Sequence, residues 1–254
     1  MKPPALEAQG LRAELGGVEV LHGIDLRLAA GRWTAVVGPN GAGKTTLLKS
    51  LAQLLPHEGQ VSLLGRPAGQ WPRRERARAL AWLGQLEAPG ADLLAHDVVM
   101  LGRLPHQAWL APPSPQDRGA VEQAMRQTQS WDWRARTVGS LSGGERQRVL
   151  LARALAVQAE VMLMDEPLAN LDAPHQADWL LIVRDLAAQR RAVVSVMHEL
   201  SIALQADEMV VMRAGRVVHH GASGDAATHA ALVEVFDGRV ELHPVGPHWV
   251  ALPK

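Results

Sequence analysis

The chain has 254 residues, enough for one α/β domain with a sizeable core. Lys plus Arg and Asp plus Glu both number 26, so no basic excess points to nucleic acid as a partner. Cysteine is absent, which excludes disulfides and thiolate metal sites and suits a reducing compartment.

The opening stretch, MKPPALEAQGLRAEL, lacks the apolar run of a secretory signal. Nowhere does the chain approach about 18 consecutive apolar residues, so no segment is expected to span a bilayer. Residues 5–37 read as three strands, with turns at Gly16-Gly17 and Ala30-Gly31 and the last strand at WTAVV. After it, Leu47, Leu48, Leu51, Leu54 and Leu55 recur at helical spacing and predict one apolar helix face. A strand is expected at Val61 to Leu64, an exposed arginine-rich helix over 73–80, and a further strand at ALAWLG, ending at Gln85.

The stretch 86–140 is rich in Pro, Gly and Trp, with helices expected near 96–103 and 116–129, and reads as an inserted helical subdomain. Trp109, Trp131 and Trp133 lie in or beside it; buried core is the ordinary fate of tryptophan, and a groove for a partner's helix is the alternative. A helix is expected over 144–158. VMLM and VVSVM are apolar runs short enough for strands buried on both faces of a parallel sheet, separated by a helix over about 174–189. The tail from 208 carries two short strands, a last helix, and two more strands near 239–251.

GPNGAGKTT (Gly38, Pro39, Asn40, Gly41, Ala42, Gly43, Lys44, Thr45, Thr46) matches the phosphate-binding loop in full, with a strand before it and a helix after it. The glycines let backbone N–H groups approach a polyphosphate, and the helix start beyond them adds its positive dipole end. Lys44 is expected on the β- and γ-phosphates, and the Thr45 hydroxyl on Mg²⁺. Only four of the 26 basic residues are lysine, yet lysine fills this slot, where a compact point charge is required. At the acidic strand end MDEP, Asp165 is the expected magnesium ligand through water, and Glu166 the expected general base toward the attacking water. LSGGERQ (141–147) starts another helix with exposed N–H groups, but no ordinary nucleotide site uses it.

Lys44, Gln85, LSGGERQ, MDEP, Asn170-Leu171-Asp172 and His198 stand in the order, and at about the spacing, of the nucleotide-binding subunit of ATP-binding cassette (ABC) transporters. The chain resembles that family over nearly its whole length. The resemblance implies a phosphate-loop NTPase fold: a mixed-sheet core, an N-terminal antiparallel β subdomain and an inserted α-helical subdomain. Residues 1–85 and 155–254 would form the nucleotide-binding core, and 86–154 the helical part with the signature motif. It also implies ATP hydrolysis with Mg²⁺. Ser142, Gly143 and Gly144 would cap the γ-phosphate held by a second copy. Gln85 would contact Mg²⁺ and water and sense the membrane partner. His198 would touch the γ-phosphate and orient the base, and Asp172 would link the two sites across a head-to-tail dimer.

The implied partners are two transmembrane permease subunits and, indirectly, a solute-binding protein, with the chain on the cytoplasmic face of the cell membrane and no nucleic acid bound. VVMLGRLPHQ (98–107) resembles the ATPases that drive uptake of ferric siderophores, haem and vitamin B12, although GR-x-PH is short enough to be an ordinary helix end. An exporter, an importer of other cargo, or a non-transport ABC ATPase stay open as alternatives. Three positions depart from the family pattern. Leu15 stands where an aromatic usually stacks on adenine, and the chain has no tyrosine. Leu168 replaces a small hydroxyl residue, and Glu199 succeeds the histidine where aspartate is commoner.

Overall fold

WTAVV, VMLMD and AVVSV are buried at every position, and runs of this kind can lie only in the middle of a sheet covered on both faces. The computed structural model describes residues 3–85, 90–108 and 111–254. In chain order its strands are β1 (Leu6–Leu15), β2 (Val18–Leu28), β3 (Trp33–Val37), β4 (Glu58–Leu63), β5 (Arg66–Pro67), β6 (Leu80–Leu83), β7 (Val161–Asp165), β8 (Ala192–Val196), β9 (Glu208–Arg213), β10 (Arg216–Ala222), β11 (Val240–Val245) and β12 (His248–Pro253). The helices are α1 (Lys44–Leu51), α2 (Arg73–Ala79), α3 (Ala95–Met100), α4 (Pro115–Gln127), α5 (Gly143–Ala156), α6 (Ala173–Ala188), α7 (Leu200–Ala203) and α8 (Ala226–Val235).

The central sheet runs β10-β9-β3-β8-β7-β6, parallel from β9 through to β6, with β10 antiparallel at one edge. A second, antiparallel sheet runs β2-β1-β4-β5, and β11-β12 form a separate hairpin. Alternation along the central strands builds two cores. Trp33, Ala35, Val37, Met162 and Met164 face the layer of α3, α4, α5 and α6, whereas Val36, Val161, Leu163 and Val194 face α1 and the antiparallel sheet. Trp33 Nε1 donates to Ser195 Oγ (2.8 Å), and its ring meets Trp179 edge-on at 5.4 Å. The mixed central sheet, antiparallel β sheet and helical layer match the architecture that the resemblance implies.

Three local expectations change. The apolar helix after the phosphate loop stops at Leu51, because Gln53 turns left-handed (φ 60°); Leu54 then points outward, 54% exposed. The arginines of α2 are not merely solvated: Arg74 and Arg78 donate through Nε to the Pro105 carbonyl (2.8 and 2.6 Å), and Arg74 also donates to the Gln107 carbonyl. Trp131 and Trp133 are half-buried rather than core, packed on the helical layer beneath guanidinium groups. Arg126 and Arg134 lie 5.1 and 4.9 Å from the Trp131 ring, and Arg148 lies 4.3 Å from Trp133. Trp109 falls outside the described residues.

GRLPH forms a clasp. Gly102 has no room for a side chain, since a Cβ there would come within 2.3 Å of the Arg153 carbonyl. Arg103, 5% exposed, donates to Asp117 Oδ1 (2.9 Å), the Ala156 carbonyl (2.7 Å) and Gln158 Oε1 (3.1 Å), and so ties the end of α5 to the start of α4. His106 Nε2 reaches the Val157 carbonyl (2.9 Å). Burial works to raise the Asp117 pKa, but hydrogen bonds from Ser114 and Arg103 prevail and lower it from 3.8 to about 2. Its folded pKa is depressed, so the carboxylate stabilises the fold above about pH 4, and that contribution is lost as pH falls toward 2. Arg103→Met is expected to cost about 3–5 kcal/mol at pH 7, because it leaves a buried carboxylate without its cation. Urea unfolding should show this loss, and the gap to wild type should narrow as pH falls through 4. A loss that stayed the same down to pH 2 would count against the ion pair as its source.

Candidate functional site

Four parallel strands deliver the site from one edge. β3 runs into the phosphate loop, β8 into His198, β7 into Asp165 and Glu166, and β6 into Gln85. Ligands bind at the carboxyl edge of such sheets, where loops replace the hydrogen-bonded ladder.

The loop's shape depends on its glycines. Gly38, Gly41 and Gly43 all have positive φ (151°, 79° and 92°), and a Cβ on Gly38 would meet the Met212 carbonyl at 2.2 Å. Ala42 is buried and pins the turn: its N–H donates to the Pro39 carbonyl (3.2 Å), and its carbonyl accepts from Gly215 (3.0 Å). Asn40 is exposed, and Thr46 is buried in the first turn of α1. Lys44 lies under the loop and donates to the Gly38 and Pro39 carbonyls (2.7 and 3.1 Å). Burial pulls the Lys44 ammonium below its ordinary pKa, opposed by the carboxylates of Glu166 and Asp165. A partly desolvated cation of this kind gains strongly from an arriving anion.

Across from the loop, Thr45 Oγ1 donates to Asp165 Oδ1 (3.1 Å). Asp165 is fully buried; burial raises its pKa, with the Glu166 charge adding to that and the Thr45 hydrogen bond opposing it. Its Oδ2 is buried with no hydrogen-bond partner among the described residues, an orphan that suits a hydrated divalent cation. No cluster of three or more His, Asp or Glu able to hold a metal occurs among the described residues. Sparse protein ligation of this type fits magnesium, which keeps its waters and takes phosphate oxygens as ligands.

Glu166 has a left-handed backbone (φ 52°), a strained conformation for a residue with a side chain. Its carboxylate is held from both sides: Gln85 Nε2 donates to Oε2 (2.7 Å), and His198 Nε2 lies 2.8 Å from Oε1. The edges of β6, β7 and β8 thus converge on one carboxylate. Gln85 contacts Glu166 and makes no hydrogen bond to Thr45 or Asp165.

Ser142, Gly143, Gly144 and Asp172 form a second group. Ser142 caps α5 in a reciprocal box: its hydroxyl accepts from Glu145 N–H (3.2 Å), and Glu145 accepts from Ser142 N–H (2.8 Å). The chain therefore satisfies part of this helix start itself. Gly143 and Gly144 sit at the first two helical positions, where N–H groups have no intrahelical acceptor. The glycines also admit the loop 167–172, since a Cβ on Gly144 would meet the Asn170 carbonyl at 2.9 Å. Asp172 caps α6 by accepting from His175 N–H (3.2 Å), and the His175 ring holds its carboxyl below the usual pKa. Among the described residues, neither this group's hydrogen bonds nor its glycine contacts reach 38–46.

A family model described as ABC transporter matches residues 21–169, more than half of the chain. The chain belongs to the ABC transporter family.

It is 41% identical to the hemin import ATP-binding protein HmuV of Pseudomonas putida, over 96% of this chain and 97% of that one. It is also 41% identical to the cobalamin import ATP-binding protein BtuD of Halobacterium salinarum, over 92% of this chain and 59% of that one. Its fold matches a nucleotide-free ATP-binding cassette from an ABC transporter with a TM-score of 0.80, at 22% identity over 92% and 98% of the two chains. This ABC subunit binds and hydrolyses ATP. No helix among its described residues is long and apolar enough to cross a membrane.

In this ABC subunit the last residue of LSGGERQ and the two other positions that depart from the family pattern have plain structural places. Gln147, 3% exposed, donates to the Pro167 carbonyl (3.1 Å), and joins α5 to the loop just after Glu166. Leu168 is buried, so the family's hydroxyl position is here a core position. Glu199 is exposed, and its carbonyl, not its side chain, caps α7.

Proposed function

We propose that this ATPase powers import of a chelated metal or corrinoid (ferric siderophore, haem or vitamin B12) as a head-to-tail homodimer docked on two membrane subunits at the cytoplasmic face. The observation that carries the dimeric reading is the split of the site. A phosphate loop, Asp165, Glu166, His198 and Gln85 converge at one sheet edge, while Ser142–Gly144 start a helix with no hydrogen bond to that loop among the described residues.

In each closed site, Lys44 and the N–H groups of Gly38–Thr46 bind the β- and γ-phosphates. Thr45 and Asp165, with Gln85 beside them, would hold Mg²⁺, which when bound neutralises charge on the phosphate oxygens. Glu166 accepts a proton from the attacking water, and His198 fixes its orientation and contacts the γ-phosphate. The partner copy contributes Ser142, Gly143 and Gly144 from across the interface, and Asp172 lies beside them at the junction of the two sites. Adenine rests on aliphatic surface, with Leu15 and Val18, 45% and 66% exposed, paired across the turn after β1.

Support for the cargo class is the identity to hemin and cobalamin import proteins over more than nine-tenths of this chain. The test is purification of the intact membrane complex through a tag on this chain. Its ATPase rate is then measured with haem, ferric siderophore or cobalamin on the associated binding protein. Stimulation by one of these, and not by sugars or amino acids, is the expected result. A complex that lacks a solute-binding protein, or answers only to another class of solute, overturns the cargo assignment.

A further inference from the structure

We propose that the C-terminal hairpin β11–β12 is a positioning element for His198, acting through Ser201; this rests on the catalytic role proposed for His198. β8 ends at Val196, and Met197 is still anchored, 1% exposed with its N–H on the Val36 carbonyl (3.1 Å). His198 and Glu199 then leave the core and are exposed. The next element, α7, is a single turn of four residues, with no side-chain cap at Glu199. One turn does not hold itself in water, so tertiary contacts must fix it.

Those contacts come from two sides. Ala203 and Leu204 are buried in the core, 0% and 6% exposed. On the other side the Ser201 hydroxyl makes both possible bonds to one residue of β12: it donates to the Ala251 carbonyl (3.2 Å) and accepts from Ala251 N–H (3.1 Å). The hairpin in turn is tied down. Trp249 meets the His229 ring of α8 edge-on at 4.4 Å, Leu242 and Ala251 pack on the core, and Lys254 N–H closes the base on the Arg239 carbonyl (2.8 Å). His198 therefore hangs between two fixed points, Met197 before it and the Ser201 clip three residues after it. A short hairpin is marginal alone and stable when packed, so clip and hairpin support each other.

The experiment measures steady-state kcat and KM for ATP on the full chain in Ser201→Ala, Ser201→Thr, Ala251→Pro, His198→Ala and the Ser201→Ala/His198→Ala double variant. Losing the clip is expected to lower kcat about 3–10-fold with KM for ATP unchanged, in Ser201→Ala and Ala251→Pro alike. Ser201→Thr keeps the hydroxyl and should restore turnover. In the His198→Ala background, Ser201→Ala should lower kcat no further. If His198→Ala alone keeps wild-type turnover, the assignment of His198 fails. If His198→Ala is slow but Ser201→Ala keeps full kcat, raises KM instead, or slows the His198→Ala enzyme equally, the positioning role fails.

Discussion

Substituting Glu166 by glutamine is expected to lower ATP turnover by about 10²–10⁴-fold while ATP still binds, the loss typical of removing a general base. The amide has nearly the shape of the carboxylate, so Gln85 can still donate to its oxygen and the surrounding strand ends need not move. Binding rests on groups the substitution leaves alone, the Gly38–Thr46 loop and Lys44. The change removes the acceptor able to take a proton from water at a carboxylate that β6, β7 and β8 jointly hold. The variant should therefore accumulate as an ATP-bound closed dimer, visible as a shift in size-exclusion elution with ATP and not with ADP. Turnover at the wild-type rate would remove Glu166 as the base, and leave the polarised phosphates alone to account for hydrolysis.

The site was legible because its parts sit at ends of elements. A run such as VMLMDEP announces a buried strand and the place where it leaves the sheet in the same few letters. GPNGAGKTT likewise carries its strand, loop and helix together. Composition could not reveal how far an element persists. The leucine spacing after Thr46 continues through Leu54 and Leu55, but the chain turns left-handed at Gln53 and ends the helix sooner.

Pairings between distant segments were also illegible. Nothing local marks Arg103 as the partner of Asp117 and Ala156, Arg74 as a donor to 105–107, or Ser201 as the anchor of β12. Such contacts depend on which helices the topology lays side by side. The signature motif is an intermediate case. Ser142 and Glu145 have the spacing of a capping box, so the helix start is partly satisfied within its own chain. The glycines likewise serve two ends, since they admit Asn170 and hold the first two helical positions, whose N–H groups have no intrahelical acceptor.

That dual use of Ser142 makes a complementation experiment sharper than any single variant. Ser142→Arg removes the cap, at a cost of about 1 kcal/mol, and places a bulky cation over the partner's phosphate position. Hydrolysis should vanish, while nucleotide binding by the monomer, which uses Gly38–Thr46, stays near wild type. Ser142→Ala loses the same cap and hydroxyl without the bulk, so its unfolding curve gives the stability cost shared by both variants. Lys44→Ala should likewise be inactive, through weakened phosphate binding. In a mixed dimer of the two inactive chains, one site combines both defects. The other combines an intact phosphate loop with an intact Ser142. Random pairing at equal amounts makes half the dimers mixed, so activity should return to about one quarter of wild type. A site complete within one chain would give no recovery at any ratio, since every loop–signature combination would then carry a lesion. Recovery thus depends on the symmetry of the pair, and a general loss of stability in either variant could not produce it.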